Sequence, residues 1–122
     1  MSREQSAEAA GRALDNLVTE IAAVIRELES ACERARDLQE QRSAGRSWYE
    51  IVADEERPLI VEQISAAMGT LAGAGGRWRR SQAQALHDEN VSINRIAELY
   101  GVTRQRVSAL LRNGEQAVPA ER

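Results

Sequence analysis

The apolar residues in the first third of the chain recur at alternating steps of three and four, and this repeat constrains the fold more than any other feature. Its members are Ala7, Ala10, Leu14, Leu17, Ile21, Val24, Leu28, Ala31, Ala35 and Leu38. The spacing is a sustained heptad and predicts one helix over about residues 3–42, roughly 60 Å long. A second column at Val18, Ile25 and Cys32 widens the apolar face, which favours a bundle of three or four helices.

A helix of this length needs a partner to cover its apolar face, because isolated helices are marginal in water. We therefore expect a coiled-coil-like homodimer. The residues predicted at its interface are Leu14, Leu17, Ile21, Val24 and Leu28.

A second helix is expected after a break in the repeat. The stretch RSAG at 42–45 ends the heptads, and residues 47–53 predict a short helical turn. Asp54 is expected to cap a helix over about 55–73, with Glu55 and Glu56 in its first turn and Pro58 tolerated only that early. The apolar stripe of this helix comprises Ile60, Val61, Ile64, Met68 and Leu71.

The stretch GAGG at 73–76 predicts a helix stop and a hinge, since consecutive glycines carry the largest backbone entropy. A plain capped turn fits the same residues. Either way, residues 1–73 would form one helical hairpin that serves as a dimerisation module.

Three short helical patterns follow, at Arg77–His87, Ile93–Tyr100 and Arg104–Arg112. Asn113 and Gly114 are expected to end the last of them, which leaves 113–122 as a flexible tail.

The segment SINRIAELYGVTRQRVSALLR contains a specific set of small and capping residues. Ala97 allows two helices to cross closely, and Gly101 suits a turn that needs positive φ. Ser92 and Thr103 are caps, and the apolar positions expected to lock the crossing are Ile96, Tyr100, Val102, Val107 and Leu110. Together these residues resemble the helix-turn-helix superfamily, especially the trihelical heads of sigma-factor region four, resolvases and small bacterial repressors. The resemblance covers about residues 77–112.

The resemblance implies that the helix over about 103–112 enters the major groove of DNA. The residues it places at base edges are Thr103, Arg104, Gln105, Ser108 and Ala109. Arg104 suits guanine, Gln105 suits adenine, and Ala109 suits a thymine methyl. The residues expected at the phosphate backbone are Arg77, Arg79, Arg80, Ser92, Asn94, Arg95, Arg106 and Arg112. A solvated helix face is the alternative for the Arg77, Arg79 and Arg80 cluster.

The charged residues divide the chain into an acidic N-terminal part and a basic C-terminal part. Residues 1–66 hold 8 Arg and 14 acidic residues, a net −6, whereas residues 77–112 hold 7 Arg and 3 acidic residues, a net +4. The second segment has the sign needed to approach phosphates, and the first does not.

Several other classes of function are not expected. A single Cys32 excludes an intramolecular disulfide and a cysteine zinc site, and no apolar run or leader directs the chain to a membrane, so we expect a cytoplasmic protein associated with the nucleoid. His87 has no nucleophile pattern around it, and helix capping explains the carboxylates at 54–56 better than a metal does. We expect no enzyme, cofactor or metal.

The aromatic residues are also assigned from the sequence. Trp78 is expected in the core of the head. Trp48 and Tyr49 are expected to close the core of the helical hairpin, with a docking surface as the alternative.

The sequence therefore predicts an all-α protein with an acidic helical dimerisation module and a basic helix-turn-helix head. Its predicted function is that of a homodimeric, sequence-specific transcription regulator that binds double-stranded DNA. Two alternatives stay open on the residues alone. One is an architectural nucleoid protein, and the other is an adaptor that binds RNA polymerase or a sigma factor.

Overall fold

A computed structural model describes the backbone of residues 2–120 and the side chains of residues 2–112. The helices are α1 (Arg3–Ser43), α2 (Trp48–Ala53), α3 (Ile60–Asp88), α4 (Ile93–Tyr100) and α5 (Arg104–Ala120). No strand occurs within residues 2–120, so the all-α prediction is confirmed. Within the same range, no helix carries an apolar stretch long enough to cross a bilayer.

The expected hinge at 73–76 is wrong, because α3 runs unbroken from Ile60 to Asp88. A helical glycine costs only about 1 kcal/mol relative to alanine, which tertiary packing can offset. Ala74, inside the stretch, is fully buried. The guanidinium groups of Arg77 and Arg80 lie over Gly73 and Gly76, 3.6 Å and 3.3 Å from where a Cβ would stand. The predicted third segment, Arg77–His87, is therefore the end of α3 and not a separate helix.

The predicted start of the second helix near residue 55 is also wrong. Asp54 caps the C-terminus of α2, and its carboxylate accepts a hydrogen bond from Arg46 at 2.5 Å. The helix begins at Ile60, whose backbone N–H donates to Glu55 at 2.7 Å. Glu55 thus satisfies the first turn of α3 from outside the helix, as a capping acid does.

The last helix extends beyond its predicted end. Asn113 and Gly114 do not stop α5, which continues to Ala120. One glycine weakens a helix without ending it, and Glu115, Gln116 and Ala117 are good helix formers.

The chain divides into two compact units, and it is divided near residue 73 and also within α1, where no boundary was predicted. Unit 1 holds the chain up to Val18 and from Gly73 onward, and unit 2 is Thr19–Ala72. Both α1 and α3 contribute residues to each unit. The N-terminal part of α1 therefore belongs with α4 and α5. Within unit 1, α1 contacts the end of α3, because the buried Ser6 hydroxyl donates a hydrogen bond to Asp88.

Unit 2 buries a few apolar side chains and leaves several large ones exposed. Its buried apolar residues are Val24, Ala31, Ile51 and Ala67. Trp48 is 61% exposed and Tyr49 is 82% exposed, so their predicted place in this core is wrong.

Unit 1 contains an apolar cluster. Ile96 and Val107 are fully buried, and Ala97 is 6% exposed. The side chains packed against these three are Leu86, Val91, Ile93, Tyr100 and Leu111. The end of α3, α4 and α5 therefore share one small core.

Candidate nucleic-acid interface

The turn between α4 and α5 is three residues long and is defined by its caps. Gly101 has φ +68° and ψ +35°, the left-handed conformation in which a side chain is strained. The N–H of Val102 donates to the Ala97 carbonyl at 3.0 Å, and the N–H of Gly101 donates to Glu98 at 3.2 Å. These two bonds close the end of α4 and turn the chain into α5.

The two predicted N-caps are in place. The Ser92 hydroxyl accepts from the N–H of Arg95 at 3.1 Å, and the Thr103 hydroxyl accepts from the N–H of Arg106 at 3.1 Å. Each bond satisfies one of the free N–H groups in the first turn of its helix. The Thr103 side chain thus fixes the start of α5.

Ala97 stands where the two helices cross. It is 6% exposed and belongs to the same buried cluster as Ile96 on α4 and Val107 on α5. Leu110 is also buried, but Val102 is 39% exposed. Val102 is therefore not among the fully buried residues of this cluster.

The residues predicted to reach base edges lie on the accessible side of α5. Thr103, Arg104 and Gln105 are exposed, and Ser108 and Ala109 are half-buried. At about 100° per residue, Gln105 points opposite to the buried Val107 and Leu110. Arg104 and Arg106 flank Gln105 on either side, and small side chains follow one turn later. A ligand can approach this side of α5 closely.

The residues predicted at the phosphate backbone fall into two groups. Those that are exposed are Arg77, Ser92, Asn94, Arg95, Arg106 and Arg112. Arg79 and Arg80 are half-buried. Arg95 pairs with Glu98 at 3.0 Å, with both side chains more than 60% exposed, and such a surface pair contributes little stability. Arg95 can therefore exchange this partner for an anion at small cost.

Arg79 has a structural contact that the sequence did not reveal. Its guanidinium carbon lies 4.0 Å from the centroid of the Tyr100 ring, and the Tyr100 hydroxyl lies 2.8 Å from Gln82 Oε1. Burial raises the pKa of Tyr100 above its ordinary value, although Arg79 opposes part of that rise. The phenol therefore stays neutral and donates its hydrogen bond to Gln82. Stacking on the ring ties the end of α3 to α4. The sequence could not predict these contacts, because Gln82 and Tyr100 are 18 residues apart.

Trp78, predicted in the core of the head, is half-buried. It lies on α3 next to Arg77 and Arg79.

The predicted dimer residues lie on two faces of α1. Val24 is buried within the chain and Leu17 is half-buried, whereas Leu14, Ile21 and Leu28 are exposed. The prediction that Val24 meets a second copy is therefore wrong, because its heptad column packs inside the chain. The exposed column also contains Val18 and Ile25.

A second exposed apolar surface belongs to α2 and consists of Trp48, Tyr49 and Val52. The helix under it is rigidly capped, since Ser47 and Glu50 form a complete capping box. The Arg42 guanidinium carbon stands 5.4 Å from the centroid of the Trp48 ring. Hydrogen bonding to Ser47 lowers the pKa of Glu50, so this box is formed by the carboxylate. We call these three residues the aromatic surface of α2.

Comparison with known proteins gives no relative for this chain. No protein-family model, curated protein or solved structure matches it. Its function has to be inferred from the chemistry of its own residues.

Proposed function

We propose that the protein is a sequence-specific DNA-binding transcription regulator that acts as a homodimer and places the start of α5 in the major groove. The observation that carries this proposal is that α5 has a buried apolar face and, on its other side, an exposed face with arginine and glutamine. Val107 is fully buried against α4, while Arg104, Gln105 and Arg106 are all exposed around the other side. A rigidly held helix that presents arginine and glutamine side chains is suited to major-groove recognition.

The chemistry of this face fits base edges flanked by phosphates. Arg104 can donate two parallel hydrogen bonds to guanine, and Gln105 can both donate to and accept from adenine. The small Ser108 and Ala109 side chains keep the helix close enough for such contacts. Arg95 and Arg106 supply charge for the backbone, and the capped start of α4 at Ser92 adds free N–H groups.

Base reading and phosphate binding are separable by mutation. Against a preferred duplex, Arg104→Ala or Gln105→Ala should lose about 1–3 kcal/mol of binding free energy and lose little against a scrambled duplex. Arg95→Ala should weaken both duplexes alike and reduce the slope of log affinity against log salt by about one. Fluorescence anisotropy at several salt concentrations measures all three variants.

Arg57→Ala is the matched control, because it removes the same charge from an exposed ion pair in unit 2. It should leave both affinities unchanged. Equal losses on both duplexes for Arg104→Ala and Gln105→Ala would contradict base reading and favour an architectural protein that binds DNA with little sequence choice.

The aromatic surface of α2 favours a second candidate function, that of an adaptor for a protein such as an RNA polymerase subunit or a sigma factor. Half of the chain's four Trp and Tyr residues lie there side by side, and Trp and Tyr are enriched at interaction hot spots. An adaptor of this kind would lose its partner on Trp48→Ala and keep it on Arg104→Ala. A DNA-binding regulator would instead lose its operator on Arg104→Ala and keep it on Trp48→Ala.

A further inference from the structure

The three arginines at the C-terminal half of α3 do not form one basic face. At about 100° per residue, Arg79 points about 160° away from Arg77 and about 100° away from Arg80, whereas the other two are only about 60° apart. Their contacts follow the same division. The guanidinium groups of Arg77 and Arg80 lie back along α3. That of Arg79 instead lies on the ring of Tyr100 in α4.

The Tyr100 ring that contacts Arg79 is itself held in place. It packs against the buried apolar cluster of unit 1, and its hydroxyl donates to Gln82 Oε1 at 2.8 Å. Gln82 follows Arg79 by three residues and therefore lies on the same side of α3. One side chain of α3 thus binds the hydroxyl of the ring and another covers its face, which gives the guanidinium a defined position.

The stacked Arg79 side chain keeps the groups that bind an anion. Stacking uses the flat face of the guanidinium, with its carbon 4.0 Å from the ring centroid, and does not use the N–H groups on its edge. In the described part of the chain Arg79 forms no ion pair, and residues 63–87 contain no Asp or Glu. The side chain is half-buried, so part of it is accessible. A guanidinium held in this way suits a phosphate, which accepts two parallel hydrogen bonds from it.

This stack lies close in the chain to the helix proposed to read bases. Tyr100 is the last residue of α4, and Arg104, the first residue of α5, follows four residues later. Their Cα atoms are at most about 14 Å apart, since an extended chain spans about 3.5 Å per residue. The major groove is about 12 Å wide, so the phosphates beside a helix in the groove lie at comparable distances from it. Arg79 can therefore reach a phosphate while α5 lies in the groove.

We propose that Tyr100 is a positioning residue for DNA binding, whose ring holds the Arg79 guanidinium in place to bind a backbone phosphate beside the groove that α5 enters. This inference rests on the proposed function, and it adds a side chain of α4 that acts through Arg79. It also separates Arg79 from Arg77 and Arg80, with which the sequence groups it.

A double-mutant cycle on duplex affinity tests the coupling between the two residues. Arg79→Ala should weaken binding about tenfold and make the salt dependence shallower by about one contact, since one phosphate is no longer bound. Tyr100→Leu should cause most of both changes although Arg79 is still present, because nothing holds its guanidinium. The double variant should bind about as weakly as Arg79→Ala alone. Fluorescence anisotropy across a salt series measures all three.

Arg77→Ala is the matched control for the cycle. It removes the same charge from the same helix, but from a side chain that lies back along α3 and not on Tyr100. Whatever its own loss, that loss should add to the loss from Tyr100→Leu. Tyr100→Phe keeps the ring and should bind duplex DNA within about twofold of wild type, because the stacking surface is preserved.

Arg79→Lys tests the stack without altering the apolar cluster, and circular dichroism checks that Tyr100→Leu keeps its helices. Lysine keeps the charge but has no planar group to stack and donate in parallel, so Arg79→Lys should bind several-fold more weakly than wild type. Wild-type affinity for Arg79→Lys, a folded Tyr100→Leu variant with the wild-type salt dependence, or additive losses in the cycle would each overturn the inference.

The result is distinguishable from the fate of the proposed function. Non-additive losses that are equal on preferred and scrambled duplexes, with no base preference that depends on Arg104, would keep the inference and reject a sequence-specific regulator. A chain that selects a duplex through Arg104 and is indifferent to Arg79→Ala would do the reverse. A chain that binds no duplex would overturn both.

Discussion

The α4–α5 segment and unit 2 differ in how many large apolar side chains they leave exposed. In α4 and α5 the large residues Ile96 and Val107 are fully buried, and most exposed residues are polar. Unit 2 buries Val24 and Ile51 together with two alanines, but Ile21, Ile25, Val61 and Met68 are among its exposed residues. The first region completes its core within the chain. The second leaves several large apolar side chains exposed, so their stabilities should respond differently to mutation.

The largest expected effect is in the core of α4 and α5. Ile96→Ala should cost about 2–5 kcal/mol of unfolding free energy, because it leaves a cavity at a fully buried site. Denaturant unfolding followed by circular dichroism measures it. The loss should not depend on protein concentration.

Val102→Ala is the control for that variant, since it removes an exposed apolar side chain from the adjoining turn. It should cost well under the Ile96→Ala loss. Equal losses for the two would mean that the small core of unit 1 is not what stabilises this segment.

The second largest effect is expected at the turn. Gly101→Ala should cost about 1–2 kcal/mol, because a Cβ is strained at φ +68° although nothing lies within 4 Å of it. The same denaturant experiment applies, with DNA affinity measured in parallel. A neutral or stabilising result would show that the turn can adopt another backbone conformation.

The smallest effect, and one of opposite sign, is expected at Gly75. This residue is inside α3 with nothing within 4 Å of its Cβ position, so Gly75→Ala should raise unfolding free energy by up to about 1 kcal/mol. DNA affinity should stay unchanged, because a continuous α3 needs no hinge there. Loss of DNA binding in a stabilised variant would instead favour a working hinge at 73–76.

The sequence predicted the elements whose signals are local. The heptad placed α1 within one residue of its observed end, and Ser92, Gly101 and Thr103 fixed the bounds of α4 and the start of α5. Each of these signals acts within one or two turns of the residue that carries it. Local physics was therefore sufficient for the geometry of the candidate site.

The predictions that failed depend on contacts distant in sequence. The glycines at 73–76 lie in a helix that buries Ala74, and Trp48, although large and apolar, is exposed. Heptad spacing also could not tell the column of Val24, which packs inside the chain, from the column of Ile25, which does not. Deciding between them required knowing where α3 lies against α1.

Recognition of bases by α5 can be tested by selecting bound fragments from randomised duplex DNA with the purified full-length chain. The recovered fragments should share a short motif, which is lost when Arg104→Ala replaces the wild-type chain. Recovery of fragments without a shared motif, or a motif that Arg104→Ala leaves intact, would contradict recognition of bases by α5.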